Sequence, residues 1–298
     1  MNKFLSMIDD RWNAGARVCI GLDSEVSKLP EYYRQHGSRQ ALFNQHIVDA
    51  TKDIALAYKP NIAFYPGRSG LDQLVRTVQI IRDIAPNVPI ILDAKRADIG
   101  NTNRGYVMEA FEEIDADAVT VNPYFGMEAM KPFLERDDKG IIILCRTSNV
   151  GSDEFQSLMV EVPEQVFSYI CSKMSADHRG FSMPKRMPMH QYVAWRVAYL
   201  WNTLGNCALV VGATFPKELS EVRRIVGDMP ILAPGIGTQG GDVEKTVQNG
   251  LNSLKRGLII NSSSGIIFAS SGPDFAHEAY RKTSELTTAI KRSVNIHT

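Results

Sequence analysis

Short apolar runs rich in β-branched residues alternate along the chain with segments of helical periodicity. Eight such runs, bounded by Gly, Pro or Asp, predict strands, and they are RVCIGLD (17–23), YKPNIAFY (58–65), PIILDAK (89–95), AVTVNP (118–123), GIIILCR (140–146), CALVVGAT (207–214), PILAPGIG (230–237) and GLIINSSS (257–264). Between most of them lies a segment with a period near 3.6 residues, as in Leu71, Leu74, Val75, Val78 and Ile81. The pattern therefore predicts strands that alternate with helices.

Eight strands that alternate with helices predict an α/β protein with a (β/α)8 TIM barrel, built as a single domain over residues 1–298. Nearly continuous apolar strands also suit a parallel sheet that helices cover. An open, doubly wound sheet is the alternative. It is less favoured because GLDSE follows the first strand, where that fold usually has a glycine-rich dinucleotide turn.

The segment of residues 149–206, between the fifth and sixth predicted strands, is longer than one helix and two loops require. VFSYICSKMS and HQYVAWRVAYLWNTL predict helices within it. ADHRGFSMPKRMPM between them has no clear period and predicts a surface excursion. Most such loops carry no catalytic residue, so we expect an insertion between strands five and six and assign no site residue to it.

Charge and cysteine content narrow the class of function. The 298 residues include 33 basic and 33 acidic side chains, so the formal net charge is zero and no global field favours nucleic acid or an anionic membrane. Any anion must then be bound by a local site. The four cysteines form no CxxC pair, and no stretch approaches the roughly 18 apolar residues of a membrane span, so we expect a cytoplasmic protein.

Polar residues finish most of the predicted strands, and in a closed parallel barrel these ends face the active site. Asp93 and Lys95 follow Ile91 at intervals of two residues, which places both on the interior face of the third strand. Together with Lys59, and with Asp98 as a further member, they predict an alternating charge network that keeps its members ionised. A structural salt bridge that caps the barrel is the alternative.

A glycine-rich turn, PILAPGIGTQGGD, includes and follows the seventh predicted strand. Barrels of this class often bind phosphate between the loops after strands seven and eight, where backbone N–H groups are available. We therefore expect the backbone of residues 235–241 to form a phosphate site. A tight turn without a ligand is the alternative, because glycines also serve turns with positive φ.

Six segments resemble, in their order along the chain, the orotidine 5'-phosphate decarboxylase family. LDAKRADIGNT (92–102) is similar to the family signature D-x-K-x-x-D-I-G-[NS]-T, and the other segments are CIGLD, PYFGMEAMKPFL, CRTSN, VVGATFPKEL and PGIGTQGGD. The likeness covers roughly residues 10–275 and is greatest to the longer, bacterial-type branch. A group of sugar-phosphate decarboxylases and synthases shares D-x-K-x-x-D, whereas TSN and PGIGxQGGD together favour the orotidylate enzyme.

The resemblance implies conversion of orotidine 5'-monophosphate to UMP and CO2, the closing step of pyrimidine biosynthesis, without a metal or an organic cofactor. It implies four catalytic residues, which are Lys59, Asp93, Lys95 as the proton donor, and Asp98. It also implies a homodimer in which Asp98, Ile99 and Thr102 complete the neighbouring subunit's site. The other substrate-binding residues that it implies are Asp23, Ser148, Pro234, Gly235, Gln239, Gly240, Ser263 and Ser264.

One position departs from the family pattern. The family has an Arg after the eighth strand that pairs with the substrate phosphate, and NSSSGII places Ser264 there. Arg256 precedes the strand and is expected at the opposite end of the barrel. A charge-assisted hydrogen bond is worth about 1.5–3 kcal/mol, so its loss predicts weaker substrate binding. A metal-dependent sugar-phosphate decarboxylase and a nucleotide-binding relative without turnover stay open as alternatives.

Overall fold

Eight parallel strands form the centre of the computed structural model, which describes residues 2–34, 39–174, 182–236 and 241–296. The strands of the barrel are β1 (Val18–Leu22), β2 (Ala55–Pro60), β3 (Ile91–Arg96), β4 (Ala118–Val121), β5 (Gly140–Arg146), β8 (Cys207–Val211), β9 (Ile231–Pro234) and β10 (Leu258–Ser262). Two short strands, β6 (Met159–Glu161) and β7 (Arg186–Pro188), form a separate sheet.

The barrel strands are hydrogen-bonded in the order β2-β1-β10-β9-β8-β5-β4-β3. Two isolated parallel bridges, Tyr58 with Ile90 and Asn61 with Asp93, join the second and third strands and bring the two edges of the sheet together. The predicted TIM barrel is therefore confirmed, with β8, β9 and β10 as its sixth, seventh and eighth strands. Its assignment as a single domain over residues 1–298 stays a prediction.

The second strand lies further towards the amino terminus than its apolar pattern predicted. Strand β2 ends at Pro60, and Ile62–Phe64 form a short 3-10 helix. The Asn61 side chain accepts a hydrogen bond from the Ala63 N–H group and so caps this helix. The apolar side chains that suggested a longer strand pack, half-buried, against the core between the sheet and the helices.

Helices cover the outside of the barrel. They are α1 (Lys3–Asn13), α2 (Glu31–Arg34), α3 (Gln40–Thr51), α4 (Gly67–Ile84), α5 (Gly100–Met108), α6 (Gly126–Leu134), α7 (Asp153–Gln156), α8 (Glu164–Met174), α9 (Met189–Arg196), α10 (Pro216–Val226), α11 (Val243–Gly250), α12 (Ser264–Ile267) and α13 (Phe275–Ile296). Helix α4 buries Leu74, Val78 and Ile81 on one face, as its period predicted. Within the described ranges, none of these helices is both long and apolar enough to span a bilayer.

Alternate residues of the barrel strands face two separate cores. On β5, Ile141 and Ile143 pack between the sheet and the helices, whereas Ile142 lies in the barrel interior. Helix α1 packs against this interior at the amino ends of the strands, and a Cβ at Gly140 would lie 2.2 Å from the ring of Phe4. Because α1 covers that end, the barrel opens at the carboxyl ends of its strands.

The inserted segment between β5 and β8 contains both predicted helices, as α8 and α9, and a small antiparallel sheet. In this sheet β6 pairs with β7, with Val160 opposite Met187. The segment ADHRGFSMPKRMPM, expected to form a surface excursion, therefore contains a strand at residues 186–188 that the sequence did not predict. Three residues are too few to show a strand period, and the pairing partner is distant in sequence. Residues 175–181 lie outside the described residues.

Candidate active site

A cavity of about 470 Å³ opens at the carboxyl ends of the barrel strands. The residues predicted from the sequence that line it are Asp23, Lys59, Asp93, Lys95, Ser148, Pro234, Gly235, Ser263 and Ser264. Each lies at or close to the end of a strand, where parallel barrels place their reactive groups. The cavity is therefore the candidate active site.

The Asp93 carboxylate lies between two ammonium groups in this cavity. Its Oδ2 atom is 2.8 Å from Lys59 Nζ, and its Oδ1 atom is 2.6 Å from Lys95 Nζ. The Thr120 hydroxyl donates a further hydrogen bond to Oδ1 over 3.0 Å. Lys59 is 3% exposed and Asp93 8% exposed, so water screens their attraction only weakly. The structure thus brings three of the predicted charged residues together.

Burial and neighbouring charges act in opposite directions on this network. Burial alone would raise the pKa of Asp93, but Lys59 and Lys95 hold that pKa well below its usual range. Burial alone would lower the pKa of Lys59. The negative charge of Asp93 and, to a smaller extent, that of Asp23 hold this pKa above its usual value. Asp93 and Lys59 are therefore both charged at neutral pH.

Lys95 has an unusual backbone conformation that directs its side chain. Its φ of 49° lies in the left-handed region, and the pairing between β3 and β4 is irregular at this point. The Thr120 Oγ1 atom accepts hydrogen bonds from the backbone N–H groups of Ala94 and Lys95, each over 3.0 Å. Thr120 therefore fixes both the strained turn and, through its own donated bond, the Asp93 carboxylate.

Asp23 follows β1 and faces the same cavity. Its Oδ1 atom is buried, and among the described residues no group donates a hydrogen bond to it. The negative charge of Asp23 contributes to the raised pKa of Lys59. A buried acceptor of this kind is suited to a hydroxyl group of a bound ligand.

Glycine and serine residues form the cavity wall at the ends of β9 and β10. Gly235 has a φ of 102°, and the Gly241 N–H group donates to the Gly235 carbonyl over 3.0 Å, which closes the predicted turn. Ser263 follows β10 and lies against Gly21 of β1. A Cβ at Gly21 would be 1.8 Å from Ser263 Oγ, so only glycine leaves room for that hydroxyl.

Positive charge in the cavity is confined to the network around Asp93 in the part of the chain that the structure describes. Lys59 and Lys95 are the cations among the described lining residues, and Ser264 contributes a hydroxyl group. Arg256 lies where the sequence placed it, at the opposite end of the barrel, with Nη2 3.7 Å from Asp9 of α1. It does not replace the missing Arg.

Five predicted residues do not appear in the wall of this cavity. Gln239 and Gly240 lie outside the described residues. Asp98, Ile99 and Thr102 are described but do not line the cavity, because β3 ends at residue 96 and the chain then turns away into α5. The Asp98 carboxylate accepts a hydrogen bond from the Ile99 N–H group over 2.7 Å. Within one chain the expected fourth member of the charge network is therefore absent.

The list of site residues predicted from the sequence left out seven polar residues that line the cavity, namely Asn61, Thr120, Thr147, Asn149, Gln156, Asn261 and Ser262. Most of them lie within two residues of a predicted site position, so their place near a strand end could have identified them. Thr120 could not be identified in this way, because in the sequence it looks like any other buried strand residue. Gln156 lines the cavity although the sequence assigned no site residue to residues 149–206, because helix α7 folds back over the end of β5.

Comparisons of the sequence and of the structure with known proteins identify the family of this chain. The model of the "Orotidine 5'-phosphate decarboxylase / HUMPS family" matches residues 16–280. A protein from Janthinobacterium sp. (strain Marseille), named orotidine 5'-phosphate decarboxylase, is 42% identical over 292 residues, which cover 98% of this chain and 99% of that protein. The solved structure of Leishmania donovani OMP decarboxylase has a TM-score of 0.74 at 28% identity and covers 96% of this chain and 99% of its own. The structure of Leishmania donovani UMP synthase has a TM-score of 0.76 at 30% identity, over 98% of this chain and 57% of that one. The chain belongs to the orotidine 5'-phosphate decarboxylase / HUMPS family.

Proposed function

We propose that this protein converts orotidine 5'-monophosphate to UMP and CO2, as the closing step of pyrimidine biosynthesis. The observation that carries the proposal is the buried Asp93 carboxylate between Lys59 and Lys95 at the barrel mouth. The Janthinobacterium relative and the Leishmania donovani decarboxylase bear the name of this activity. The motif that resembles the family supplies Asp93 and Lys95, so the sequence and the geometry support the same reaction.

The reaction requires electrostatic stabilisation. Loss of CO2 from C6 of orotate leaves an electron pair in an sp2 orbital that the ring π system cannot delocalise. The Lys95 ammonium group stabilises this developing charge and then gives its proton to C6. Asp93 lies beside the substrate carboxylate and disfavours the bound ground state, while Lys59 keeps Asp93 ionised. The proposal involves no metal and no organic cofactor.

The cavity wall provides a contact for each part of the substrate. Asp23 and Lys59 bind the ribose, and the buried Oδ1 atom of Asp23 accepts a hydrogen bond from a ribose hydroxyl. Ser148 binds the pyrimidine amide. The phosphate contacts the ends of the seventh and eighth barrel strands, through Pro234, Gly235, Ser263 and Ser264. Gln239 and Gly240, which the resemblance adds to the substrate-binding residues, lie outside the described residues. Phosphate binding, remote from C6, helps to organise the reacting groups.

A Lys95→Ala variant tests the assigned proton donor. We expect kcat to fall by roughly 10³-fold or more, because both charge stabilisation and the proton source are lost. The fold should persist, since Lys95 is half-exposed and Asp93 keeps Lys59 and Thr120 as partners. The ultraviolet absorbance of orotidine 5'-monophosphate reports turnover, and circular dichroism reports folding. Lys282→Ala, on the exposed face of α13, is the matched control, and a Lys95→Ala variant as active as this control would contradict the role.

We also propose that two copies form a homodimer with shared sites. Asp98, Ile99 and Thr102 belong to the same motif as Lys95 but lie outside their own chain's cavity. Ile99 is 62% exposed and Tyr124, after the neighbouring strand, is 86% exposed, which leaves apolar surface at this side of the barrel mouth. A second copy on this surface would bury these side chains and carry its Asp98 to the neighbouring charge network.

Mixing two inactive variants tests the sharing of sites. Lys95→Ala and Asp98→Ala subunits should each be inactive alone. Their heterodimer has one site with both changes and one site with neither, so random mixing should restore about one quarter of the wild-type activity. The turnover of the mixture is measured after subunit exchange, with heterodimers demonstrated by native mass spectrometry. Heterodimers without recovered activity would contradict the proposed arrangement.

The phosphate end of the cavity lacks the guanidinium group that the family pattern places there. Ser264 lines the cavity at that position, and Arg256 lies at the opposite end of the barrel. Backbone N–H groups and hydroxyl groups bind phosphate more weakly than a charged donor does. We therefore propose that the protein binds its substrate through neutral donors at the phosphate end.

Restoring the cation by a Ser264→Arg substitution tests this proposal. We expect KM for orotidine 5'-monophosphate to fall by roughly tenfold or more, because a charge-assisted hydrogen bond is gained. Steady-state kinetics at one ionic strength give the values. A Ser264→Gln variant, which has a long neutral side chain, should not reproduce the gain. An unchanged or raised KM in Ser264→Arg would show that another group already neutralises the phosphate.

Two further observations bear on metal use and cellular location. In the described ranges, no group of three or more His, Cys, Asp or Glu side chains is arranged to hold a metal ion. All four cysteines are free thiols, and three of them are buried. Free thiols suit a reducing compartment, and we propose that the protein acts in the cytoplasm.

A further inference from the structure

Gln156 reaches the active-site cavity from the segment inserted between the fifth and sixth barrel strands. It is the last residue of the short helix α7, and both ends of its amide group bind Thr147. Gln156 Oε1 accepts a hydrogen bond from the Thr147 N–H group over 2.9 Å, and Gln156 Nε2 donates to Thr147 Oγ1 over 2.8 Å. One side chain therefore fixes both the backbone and the hydroxyl of the residue that follows β5.

The protein core fixes Gln156 in turn. The Arg146 guanidinium, only 1% exposed, donates hydrogen bonds to Ser152 Oγ over 2.9 Å and to Asp153 Oδ1 over 2.5 Å, at the start of α7. Its centre lies 3.8 Å from the centroid of the Phe215 ring. A buried guanidinium that is hydrogen-bonded at both Nη atoms and stacked on an aromatic ring has little freedom to move. Helix α7 is thus attached to the last residue of β5.

A second contact holds the other end of α7. The His190 Nδ1 atom, from α9, is 2.9 Å from the Gln156 carbonyl oxygen, and the His190 carbonyl accepts a hydrogen bond from Cys145 Sγ over 3.1 Å. Burial lowers the pKa of His190, so the ring is neutral at physiological pH and its Nδ1–H can donate to the carbonyl. The inserted segment therefore contacts β5 at Cys145 and Arg146, the two residues that directly precede the cavity-lining Thr147.

The residue held by Gln156 directly precedes Ser148, which lines the cavity. The Thr147 hydroxyl donates a hydrogen bond to Asn149 Oδ1 over 2.6 Å, so the residues on both sides of Ser148 are coupled. Behind Ser148, a Cβ at Gly212 would lie 2.9 Å from Ser148 Cβ. Ser148 is therefore confined between Gly212 and the turn that Gln156 fixes. Such support is what holds a binding group in its productive geometry before the ligand arrives.

We propose that Gln156 is a positioning residue for recognition of the pyrimidine, and that it acts through Thr147 on Ser148. The inference rests on the proposed function, which assigns the pyrimidine amide to Ser148. The inserted segment would then contribute to substrate selection, because Gln156 orders the part of the cavity wall that contacts the pyrimidine. The phosphate and ribose contacts lie on other strands, so they should not depend on Gln156.

Binding of two ligands that differ in the base tests this inference. UMP contains the pyrimidine, whereas ribose 5-phosphate contains only the sugar and the phosphate. A Gln156→Ala variant should bind UMP about tenfold more weakly, because two neutral hydrogen bonds that order the wall are lost, and should bind ribose 5-phosphate as the wild type does. Calorimetric titration gives both affinities. The matched control is Gln191→Ala, in the same inserted segment, whose amide bonds Glu221 and does not line the cavity.

A double substitution tests the route through Ser148. In a Ser148→Ala background, adding Gln156→Ala should cause little further loss of UMP affinity, because the two residues act as one unit. Additive losses would overturn the inference. Thr147→Val keeps the side-chain shape but removes the hydroxyl's bonds to Gln156 Nε2 and to Asn149 Oδ1, and it should weaken UMP binding two- to threefold without affecting the fold. This variant gives the answer if Gln156→Ala does not fold.

The other outcomes of these binding measurements overturn either the inference alone or the proposed function as well. Equal weakening of UMP and ribose 5-phosphate in Gln156→Ala would indicate a general structural role and overturn the inference, as would unchanged UMP affinity. A wild-type protein that binds neither ligand would overturn the proposed function and this inference with it. A wild-type protein that binds UMP normally, with no selective effect of Gln156→Ala or Thr147→Val, would overturn the inference alone.

Discussion

The buried carboxylate of Asp93 is the constraint on which the rest of this site depends. A carboxylate in a low-dielectric interior is unfavourable unless opposite charges and hydrogen-bond donors surround it. Lys59 approaches one oxygen, Lys95 approaches the other, and Thr120 adds a donor from the next strand. Three neighbouring strands must therefore end at the same height around one carboxylate, and the resulting charge array is what the proposed chemistry at C6 requires.

The barrel meets this constraint by separating its two ends. At the amino ends, α1 contributes Phe4, Ile8 and Trp12 to an apolar interior. At the carboxyl ends, Asp23, Asp93 and other polar residues replace the apolar ones in the same inward-facing positions. The left-handed conformation of Lys95 is tolerated there because Thr120 binds the strained backbone. The apolar interior that stabilises the barrel and the polar cavity thus lie at opposite ends of one sheet.

Local sequence pattern predicted much of this arrangement. Period two after Ile91 correctly placed Asp93 inside the barrel, and eight apolar runs correctly predicted eight barrel strands. The pattern failed where the deciding contacts are distant in sequence. Gln156 meets Thr147 only because the buried Arg146 holds α7 against β5, and no local periodicity reports such a contact. The four-membered charge network was predicted as one cluster, yet the position of Asp98 depends on a turn that follows β3, which strand periodicity does not describe.

In the proposed reaction, a charge array held by the protein alone carries out the decarboxylation. The most direct test is the ultraviolet absorbance of orotidine 5'-monophosphate mixed with the purified protein in excess EDTA, with UMP quantified as the product. We expect full conversion to UMP at a rate that neither EDTA nor added Mg²⁺ changes. Activity that disappears in EDTA and returns with a divalent metal, or binding of UMP without any turnover, would contradict the account.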